Sequence, residues 1–246
     1  MLKNKTALIT GCNRGIGKSI LKKFSENGAN CLACVRSSNT EFETYCKSLE
    51  NKNNTKINII SFDLLNNSEV QEGIKKIFNI TKNIDILVNN AGMIFNSLFQ
   101  MTSEKKLKEI FQINFFSQVY LTQLISREMV KNKKGNIIFI SSTSAERNDP
   151  GRFAYSSTKA AILSTSRILA KELGGNLIRV NSISPGLTNT EMVSKNTKEE
   201  FLKEEIKKIS LKRIAETDEI ANVALFLASE LSSYINGQNI KVDGGV

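Results

Sequence analysis

The sequence predicts a doubly wound α/β fold, in which about seven parallel strands form one sheet with helices on both faces. Seven short runs of apolar or β-branched residues recur along the 246 residues. Most of these runs are apolar throughout, which is typical of strands buried on both faces. Between them lie segments whose apolar residues recur at helical spacing. This repeated alternation of strand and helix indicates a parallel sheet with helical crossovers.

The predicted elements follow one another without a linker or an internal repeat, so we expect one domain over residues 1–246. The predicted strands are residues 5–10, 30–35, 57–62, 84–88, 136–141, 178–184 and 238–242. The clearest helical stripes are Ile16, Ile20, Leu21 and Phe24, then Leu107, Ile110, Phe111, Leu121 and Ile125, then Ile220, Val223, Ala224 and Leu227. Residues 189–215 are polar and lack a strand pattern, and we expect them to form a helical substrate lid.

The composition excludes several classes of site. Lys and Arg number 34 against 24 Asp and Glu, a net charge of +10, and the chain contains no histidine. Triads, proton shuttles and metal sites that use histidine are therefore excluded, and we expect no bound metal. The basic residues are scattered without interleaved aromatic residues, which favours solvated helix faces over a nucleic-acid surface. With no apolar run near ~18 residues and no signal-peptide pattern, we expect a cytoplasmic protein without membrane contact.

The four cysteines, Cys12, Cys31, Cys34 and Cys46, all lie in the first fifth of the chain. Cys31 and Cys34 have the spacing of some redox and zinc sites. Both belong to one predicted strand, however, where residues three apart point to opposite faces. We therefore expect structural thiols in a reducing compartment.

A glycine-rich turn follows the first predicted strand and precedes a helix. It contains the candidate phosphate-binding residues Gly11, Asn13, Arg14, Gly15, Ile16 and Gly17. Glycines let the backbone turn tightly and approach a pyrophosphate, while the helix N-terminus presents free N–H groups to it. The turn in this context predicts nucleotide binding.

Tyr155 and Lys159 are four residues apart, so their side chains share one face of a helix. An ammonium near a phenol lowers the pKa of the phenol from about 10 and helps it to exchange protons near neutrality. Ser142 lies at the end of the fifth predicted strand, where its hydroxyl can bond a substrate carbonyl oxygen. The adjacent Ser141 is interpreted as a cap of the strand end.

Several of these residues come directly after predicted strands, whose carboxyl ends share one ligand-binding edge in a parallel sheet. They are Gly11, Arg36, Asp63, Asn89, Ser142 and Pro185. The sequence therefore predicts a single site at that edge.

The glycine spacing Gly-x-x-x-Gly-x-Gly and the run Asn89-Asn90-Ala91-Gly92 resemble the short-chain dehydrogenase/reductase family. The resemblance covers essentially the whole chain and implies a Rossmann-type fold with a nicotinamide cofactor. It implies that Asp63 and Leu64 contact the adenine and that Asn114 anchors a water on the proton path from Lys159. The other cofactor contacts that it implies are Asn90, Ala91, Gly92, Tyr155, Lys159, Pro185, Gly186, Leu187 and Thr188.

The reaction implied by the resemblance is hydride transfer to a carbonyl carbon. Ser142 would orient the oxygen, and Tyr155 would donate the proton as a general acid. The second predicted strand ends at Arg36 without a carboxylate. Arg36, with Arg14, suits a 2′-phosphate and favours NADP(H), unless Arg36 only begins a solvated loop.

The C-terminal residues 216–245 and the run Thr190-Glu191-Met192 are most similar to reductases of 3-oxoacyl chains on acyl carrier protein. That likeness implies an acidic carrier docked by Lys171 and by Lys133 or Lys134. The loop 145–152 carries four charged residues. In such reductases the corresponding loop consists of small residues and is rich in glycine. A polar carbonyl such as a sugar, nucleotide-linked sugar or small ketone is therefore an alternative substrate, and a non-catalytic NADP-binding sensor is a second alternative.

The resemblance also implies an oligomer. Members of the family usually form homotetramers through the long helices, here roughly residues 103–131 and 153–174, and through the C-terminal strand. We expect the same assembly for this chain.

Overall fold

The computed structural model of the protein describes residues 1–147, 149–196 and 199–246. Within them, parallel strands form one sheet in the order β3-β2-β1-β4-β5-β6-β7. The strands are β1 (Thr6–Thr10), β2 (Asn30–Val35), β3 (Ile57–Ser61), β4 (Ile86–Asn89), β5 (Gly135–Ile140), β6 (Ile178–Pro185) and β7 (Asn239–Val242). The seven predicted strands and the doubly wound α/β fold are confirmed.

Helices connect the strands and cover both faces of the sheet. They are α1 (Gly15–Glu26), α2 (Thr40–Asn53), α3 (Asn67–Ile80), α4 (Glu104–Phe111), α5 (Ser117–Asn132), α6 (Ser144–Arg147), α7 (Phe153–Gly174), α8 (Glu191–Asn196), α9 (Glu199–Lys208) and α10 (Thr217–Ala228). A π-helical turn, Gln112–Phe116, joins α4 to α5. None of the described helices is long and apolar enough to cross a membrane.

Alternate residues of each strand face two separate cores, as the pleat requires. In β1, Ala7 and Ile9 pack with α1, α2 and α10, while Leu8 packs with α3, α5 and α7 on the other face. Cys31 and Cys34 belong to different cores, which confirms that they point to opposite faces. All four cysteines are buried and unpaired, and the described residues contain no metal-binding cluster of acidic or cysteine side chains.

Local capping fixes where several helices begin. The side chain of Asn39 accepts from the Phe42 N–H ahead of α2, and Asn66 does the same for the first turn of α3. A reciprocal capping box between Glu216 and Glu219 starts α10. Each cap satisfies N–H groups that have no partner within the helix.

The segment 189–215, expected to be a lid, contains α8 and α9. Its two ends meet at a β-bridge between Thr188 and Ala215. Thr197 and Lys198 of this segment lie outside the described residues, as does Asn148 of the charged loop 145–152.

Candidate active site

A cavity of about 470 Å³ opens at the edge of the sheet where the strands end. The strand order reverses there between β1 and β4, and ligands of doubly wound sheets bind at such a point. Its lining includes the predicted cofactor residues Gly11, Asn13, Arg14, Gly15, Ile16, Gly17, Arg36, Asp63, Leu64, Asn90, Ala91, Gly92, Tyr155, Lys159, Pro185, Gly186, Leu187 and Thr188. The fold therefore brings all of them to one cavity.

The glycine turn at the floor of this cavity is tightly packed. Gly11 has φ +74°, a left-handed conformation that favours glycine. A β-carbon on Gly17 would lie 2.1 Å from the Gly11 carbonyl oxygen. Asn90 Nδ2 donates to the Thr10 carbonyl at 2.8 Å, and Thr10 Oγ1 accepts from the Asn90 and Ala91 N–H groups, at 3.0 Å each. These bonds hold the turn after β1 against the turn after β4.

This arrangement fits the pyrophosphate of a dinucleotide. Helix α1 begins within the turn, and its N-cap residue Arg14 makes no side-chain hydrogen bond to the first turn. Uncapped N–H groups and the positive end of a helix dipole stabilise phosphate oxygens. Gly11 and Gly17 allow the turn to pack this closely, because a β-carbon at either position would crowd neighbouring atoms of the turn or of the Asn90-Ala91 segment.

Charged side chains line the end of the cavity that is farther from Tyr155. Arg36 directly follows β2, and no ion pair joins it to a carboxylate of the described residues. Arg14 Nη1 lies 3.4 Å from Glu191 Oε2, and both side chains are more than half exposed. Asp63 Oδ1 accepts from the Leu65 N–H at 2.9 Å, so Asp63 also stabilises the turn after β3.

Three of the four candidate catalytic residues, Ser142, Tyr155 and Lys159, meet at the other end of the cavity, and the fourth is Asn114. The Ser142 side chain hydrogen-bonds to the Tyr155 phenol and accepts from the Ser144 N–H at 3.1 Å. Lys159 Nζ lies 5.8 Å from the centre of the Tyr155 ring and donates to the Ile140 carbonyl at 2.8 Å. A hydroxyl and a phenol thus face the same space, with a buried amine behind them.

The structure corrects the expected pKa of the phenol. Burial raises the pKa of Tyr155, and the Ser142 hydrogen bond and the charge of Arg152 lower it only in part. Burial also lowers the pKa of Lys159 to about 8. Removal from water disfavours both charged forms more than this amine favours the phenolate. Tyr155 therefore stays protonated at neutral pH, which suits a proton donor.

Asn114 does not line the cavity but lies directly behind it, in the π-helical turn. Its side chain is fully buried, accepts from the Met93 N–H at 2.8 Å and donates to the Met93 carbonyl at 2.9 Å. A β-carbon on Gly92 would lie 3.3 Å from Asn114 Oδ1 and 3.6 Å from Lys159 Nζ. The amide thus anchors the loop after β4 next to the buried amine, and π-helical turns are frequent at functional sites.

The sequence of this chain is similar to a family profile and to several relatives of known name. The sequence profile described as enoyl-(acyl carrier protein) reductase matches residues 11–246. The 3-oxoacyl-[acyl-carrier-protein] reductase FabG of Chlamydia muridarum (strain MoPn / Nigg) is 38% identical over 250 residues, covering 100% of this chain and 98% of the relative. That of Aquifex aeolicus (strain VF5) is 35% identical over 250 residues, with the same coverage.

The chain belongs to the short-chain dehydrogenase/reductase family of oxidoreductases. Solved structures agree. A protein from Beutenbergia cavernae, named as an NAD(P)-dependent gluconate 5-dehydrogenase and solved with NADP bound at low occupancy, superposes with a TM-score of 0.93 at 26% identity, covering 99% of this chain and 96% of that one. A short-chain type dehydrogenase/reductase from Mycobacterium ulcerans superposes with a TM-score of 0.92 at 28% identity, covering 99% and 90%.

The charged loop 145–152 of this short-chain dehydrogenase/reductase is largely neutralised by ion pairs. Arg147 Nη2 lies 2.6 Å from Glu205 Oε2 on α9, and Arg147 Nε lies 3.2 Å from Asp149 Oδ2. Glu146 pairs with Lys241 outside the cavity lining. Glu205 is almost fully buried and lines the cavity, a role that no local sequence signal predicts.

The lysines expected to dock a carrier do not flank the cavity of their own chain. Lys133 and Lys134 lie where β5 begins, at the opposite edge of the sheet, and Lys134 Nζ pairs with Asp85 Oδ1 at 2.5 Å. Lys171 lies in the last turn of α7, about 24 Å from Tyr155 at 1.5 Å per residue. A whole strand or helix length thus separates these lysines from the cavity of the same chain, and carrier docking by Lys171 and by Lys133 or Lys134 stays a prediction.

Proposed function

We propose that this protein is an NADPH-dependent reductase that converts a 3-oxoacyl-[acyl-carrier-protein] to its 3-hydroxyacyl form. The observation that carries the proposal is the likeness, over the full length, to reductases of that name at 35–38% identity. The cavity supports it, since Ser142, Tyr155 and Lys159 share it with the glycine turn. Arg36, without a carboxylate partner among the described residues, and the NADP bound in a solved relative support NADP(H) as the cofactor.

The glycine turn and Arg36 would hold NADP(H), which when bound would supply the hydride for the carbonyl carbon. The Ser142 hydroxyl donates to the substrate oxygen and orients it. Tyr155 donates the proton to that oxygen as a general acid, and the raised pKa keeps it protonated beforehand. Lys159, whose pKa of about 8 allows proton exchange near neutrality, returns a proton toward the phenol, and Asn114 anchors the relay water beside it.

We also propose that residues 189–215 act as a lid within a single-domain chain. Glu191, Met192, Val193 and Glu205 of this segment line the cavity. The bridge between Thr188 and Ala215 joins the two ends of the segment at one point of the fold. This geometry suits a flap that closes over substrate from a fixed base.

A homotetramer and a cytoplasmic location complete the proposal. Exposed apolar side chains lie on the helices expected to assemble, among them Phe116 after α4 and Phe153 and Ile168 on α7. Exposed apolar surface of this kind favours association with another protein surface. Four reduced cysteines suit a reducing compartment.

Steady-state NADPH oxidation with a substrate panel tests the function. We expect turnover of acetoacetyl and longer 3-oxoacyl thioesters, with little turnover of neutral ketoses. Binding of NADPH without oxidation by any carbonyl would instead indicate the sensor.

A reductase of a polar carbonyl is the second candidate, and the charged cavity wall favours it. Arg147, Asp149, Arg152 and Glu205 all line the cavity. In the same panel, turnover of a keto-sugar acid without turnover of any thioester would select this candidate.

A further inference from the structure

Five cationic side chains line the cavity within the described residues, and most of them have a protein partner. Arg14 pairs with Glu191, and Arg147 pairs with both Asp149 and Glu205. The Lys159 amine donates to a backbone carbonyl. The two that remain without a carboxylate partner in the described chain are Arg36 and Arg152.

These two guanidiniums lie at opposite ends of the cavity. Arg36 follows β2 and Arg152 follows β5, and two strands separate β2 from β5 in the sheet. At about 4.8 Å per strand the ends of β2 and β5 are roughly 14 Å apart, and Arg152 lies on the β5 side, in the loop that leads into α7. Arg36 is assigned to the 2′-phosphate of the cofactor, so Arg152 needs a different anion.

Arg152 belongs to the substrate end. It is the N-cap of α7, three residues or about one helical turn before Tyr155, and both residues line the cavity. The positive charge of Arg152 lowers the pKa of the Tyr155 phenol, so the guanidinium acts directly on the reacting end of the cavity. The acidic residue nearest to Arg152 in the sequence is Asp149, and its carboxylate forms an ion pair with Arg147.

We infer that Arg152 is a specificity-determining residue that binds an anionic group of the substrate, a carboxylate or a phosphate, near the carbonyl that is reduced. A guanidinium binds either group through charge-assisted hydrogen bonds. The inference rests on the proposed carbonyl reductase function and adds the charge of its substrate. The carboxylate could lie on the reacting skeleton, and the phosphate on the arm of a carrier-linked thioester.

Two matched pairs of substrates test this inference and separate the two sources. Acetoacetate and its methyl ester differ in the carboxylate charge close to the keto group and in one small methyl group. The acetoacetyl thioesters of 4′-phosphopantetheine and of pantetheine differ only in the phosphate. For each compound, kcat/KM with NADPH and the Kd for the NADP⁺-loaded protein are measured for the wild type, for Arg152→Gln and for Arg152→Lys.

We expect the wild type to favour the anionic member of at least one pair. Arg152→Gln should reduce that preference by about tenfold or more, and Arg152→Lys should restore part of it. The substrate pair whose charge preference falls in Arg152→Gln shows whether the anion is the carboxylate or the phosphate. Arg167→Gln, an exposed residue outside the cavity lining on the same helix, serves as the control and should leave both preferences unchanged.

Equal effects of Arg152→Gln on both members of each pair, or a wild type without charge preference, would overturn the inference. Failure of the proposed function looks different, because then neither thioester is reduced while the Kd values still report the charge preference. Turnover of both thioesters with no role for Arg152 would leave the proposed function standing and the inference wrong.

Discussion

Buried residues set the proton chemistry of this site. Lys159 is buried and Tyr155 is partly buried, and the pKa of each moves toward its neutral form. A protonated phenol is ready to donate to a substrate oxygen, whereas a phenolate is not. The pair is therefore set for reduction before substrate arrives.

Removal of the phenol hydroxyl tests the assigned proton donor. Tyr155→Phe removes the donor and its hydrogen bond with Ser142 while keeping the ring in place. We expect kcat to fall by about 100-fold or more, because general acid catalysis contributes that much. The Kd for NADPH, measured by fluorescence titration, should change only a few-fold. Near-normal kcat in this variant would contradict the mechanism.

The buried amine of Lys159 should lower the free energy of unfolding of the protein. The folded pKa of Lys159, about 8, is lower than the ordinary value of 10.5. Between these pH values the unfolded chain binds more protons than the folded one, so stability should rise with pH. Lys159→Met should therefore raise the free energy of unfolding by about 3 kcal/mol at pH 7. This difference from the wild type should become smaller between pH 8 and pH 10.

Denaturant unfolding at pH 7 and pH 10 measures this effect. Lys171→Met, at an exposed position of the same helix, is the control and should change stability little at either pH. A Lys159→Met variant that is less stable than the wild type at pH 7 would show that the bond to the Ile140 carbonyl outweighs the desolvation cost.

Arg36 should decide the choice of cofactor. Arg36→Asp replaces a cation with a carboxylate that repels a 2′-phosphate and accepts from a ribose 2′-hydroxyl. We expect the ratio of kcat/KM for NADPH to that for NADH to fall by about 100-fold. Arg36→Lys should keep the preference for NADPH. An unchanged ratio in Arg36→Asp would place the 2′-phosphate elsewhere, with Arg14 as the next candidate.

Among the elements, the junction of β1 and α1 is the most tightly constrained. Gly17 packs against the carbonyl of Gly11, and the Asn90 side chain holds the same turn from β4. Gly17→Ala places a methyl group 2.1 Å from that carbonyl oxygen, so the turn must move. We expect the Kd for NADPH, measured by calorimetry, to rise by about tenfold or more as the phosphate cradle deforms.

Gly175→Ala is the matched control for this substitution. Gly175 has a right-handed helical conformation at the end of α7, and a β-carbon there has no atom within 4 Å. Its affinity for NADPH should equal that of the wild type. Wild-type affinity in Gly17→Ala as well would show that the turn is not the phosphate site.

At the scale of the whole molecule, exposed apolar side chains predict assembly. Phe116 is 53% exposed at the junction of α4 and α5, within the helical segment 103–131 that is expected at the subunit interface. Light scattering after size-exclusion chromatography should give about four times the 27.4 kDa of one chain. Phe116→Glu should lower the mass, because a buried unpaired carboxylate destabilises an apolar interface.

A similarly exposed residue away from those helices provides the comparison. Ile80 lies at the end of α3 and is 48% exposed, so Ile80→Glu should leave the mass unchanged. A monomeric wild type would refute the tetramer while leaving the single-chain cavity intact, since every candidate cofactor residue comes from one chain.

The sequence by itself determined the features that depend on local spacing. Strand runs, helical stripes, the glycine turn and the pairing of Tyr155 with Lys159 are set by residues close together in the chain, and parallel strands then bring their ends to one edge. Only the tertiary structure decided the direction of the Tyr155 pKa and the partner of Arg147, which lies 58 residues away. Solvation and charge pairing depend on which distant residues surround a group, and no local pattern encodes those neighbours.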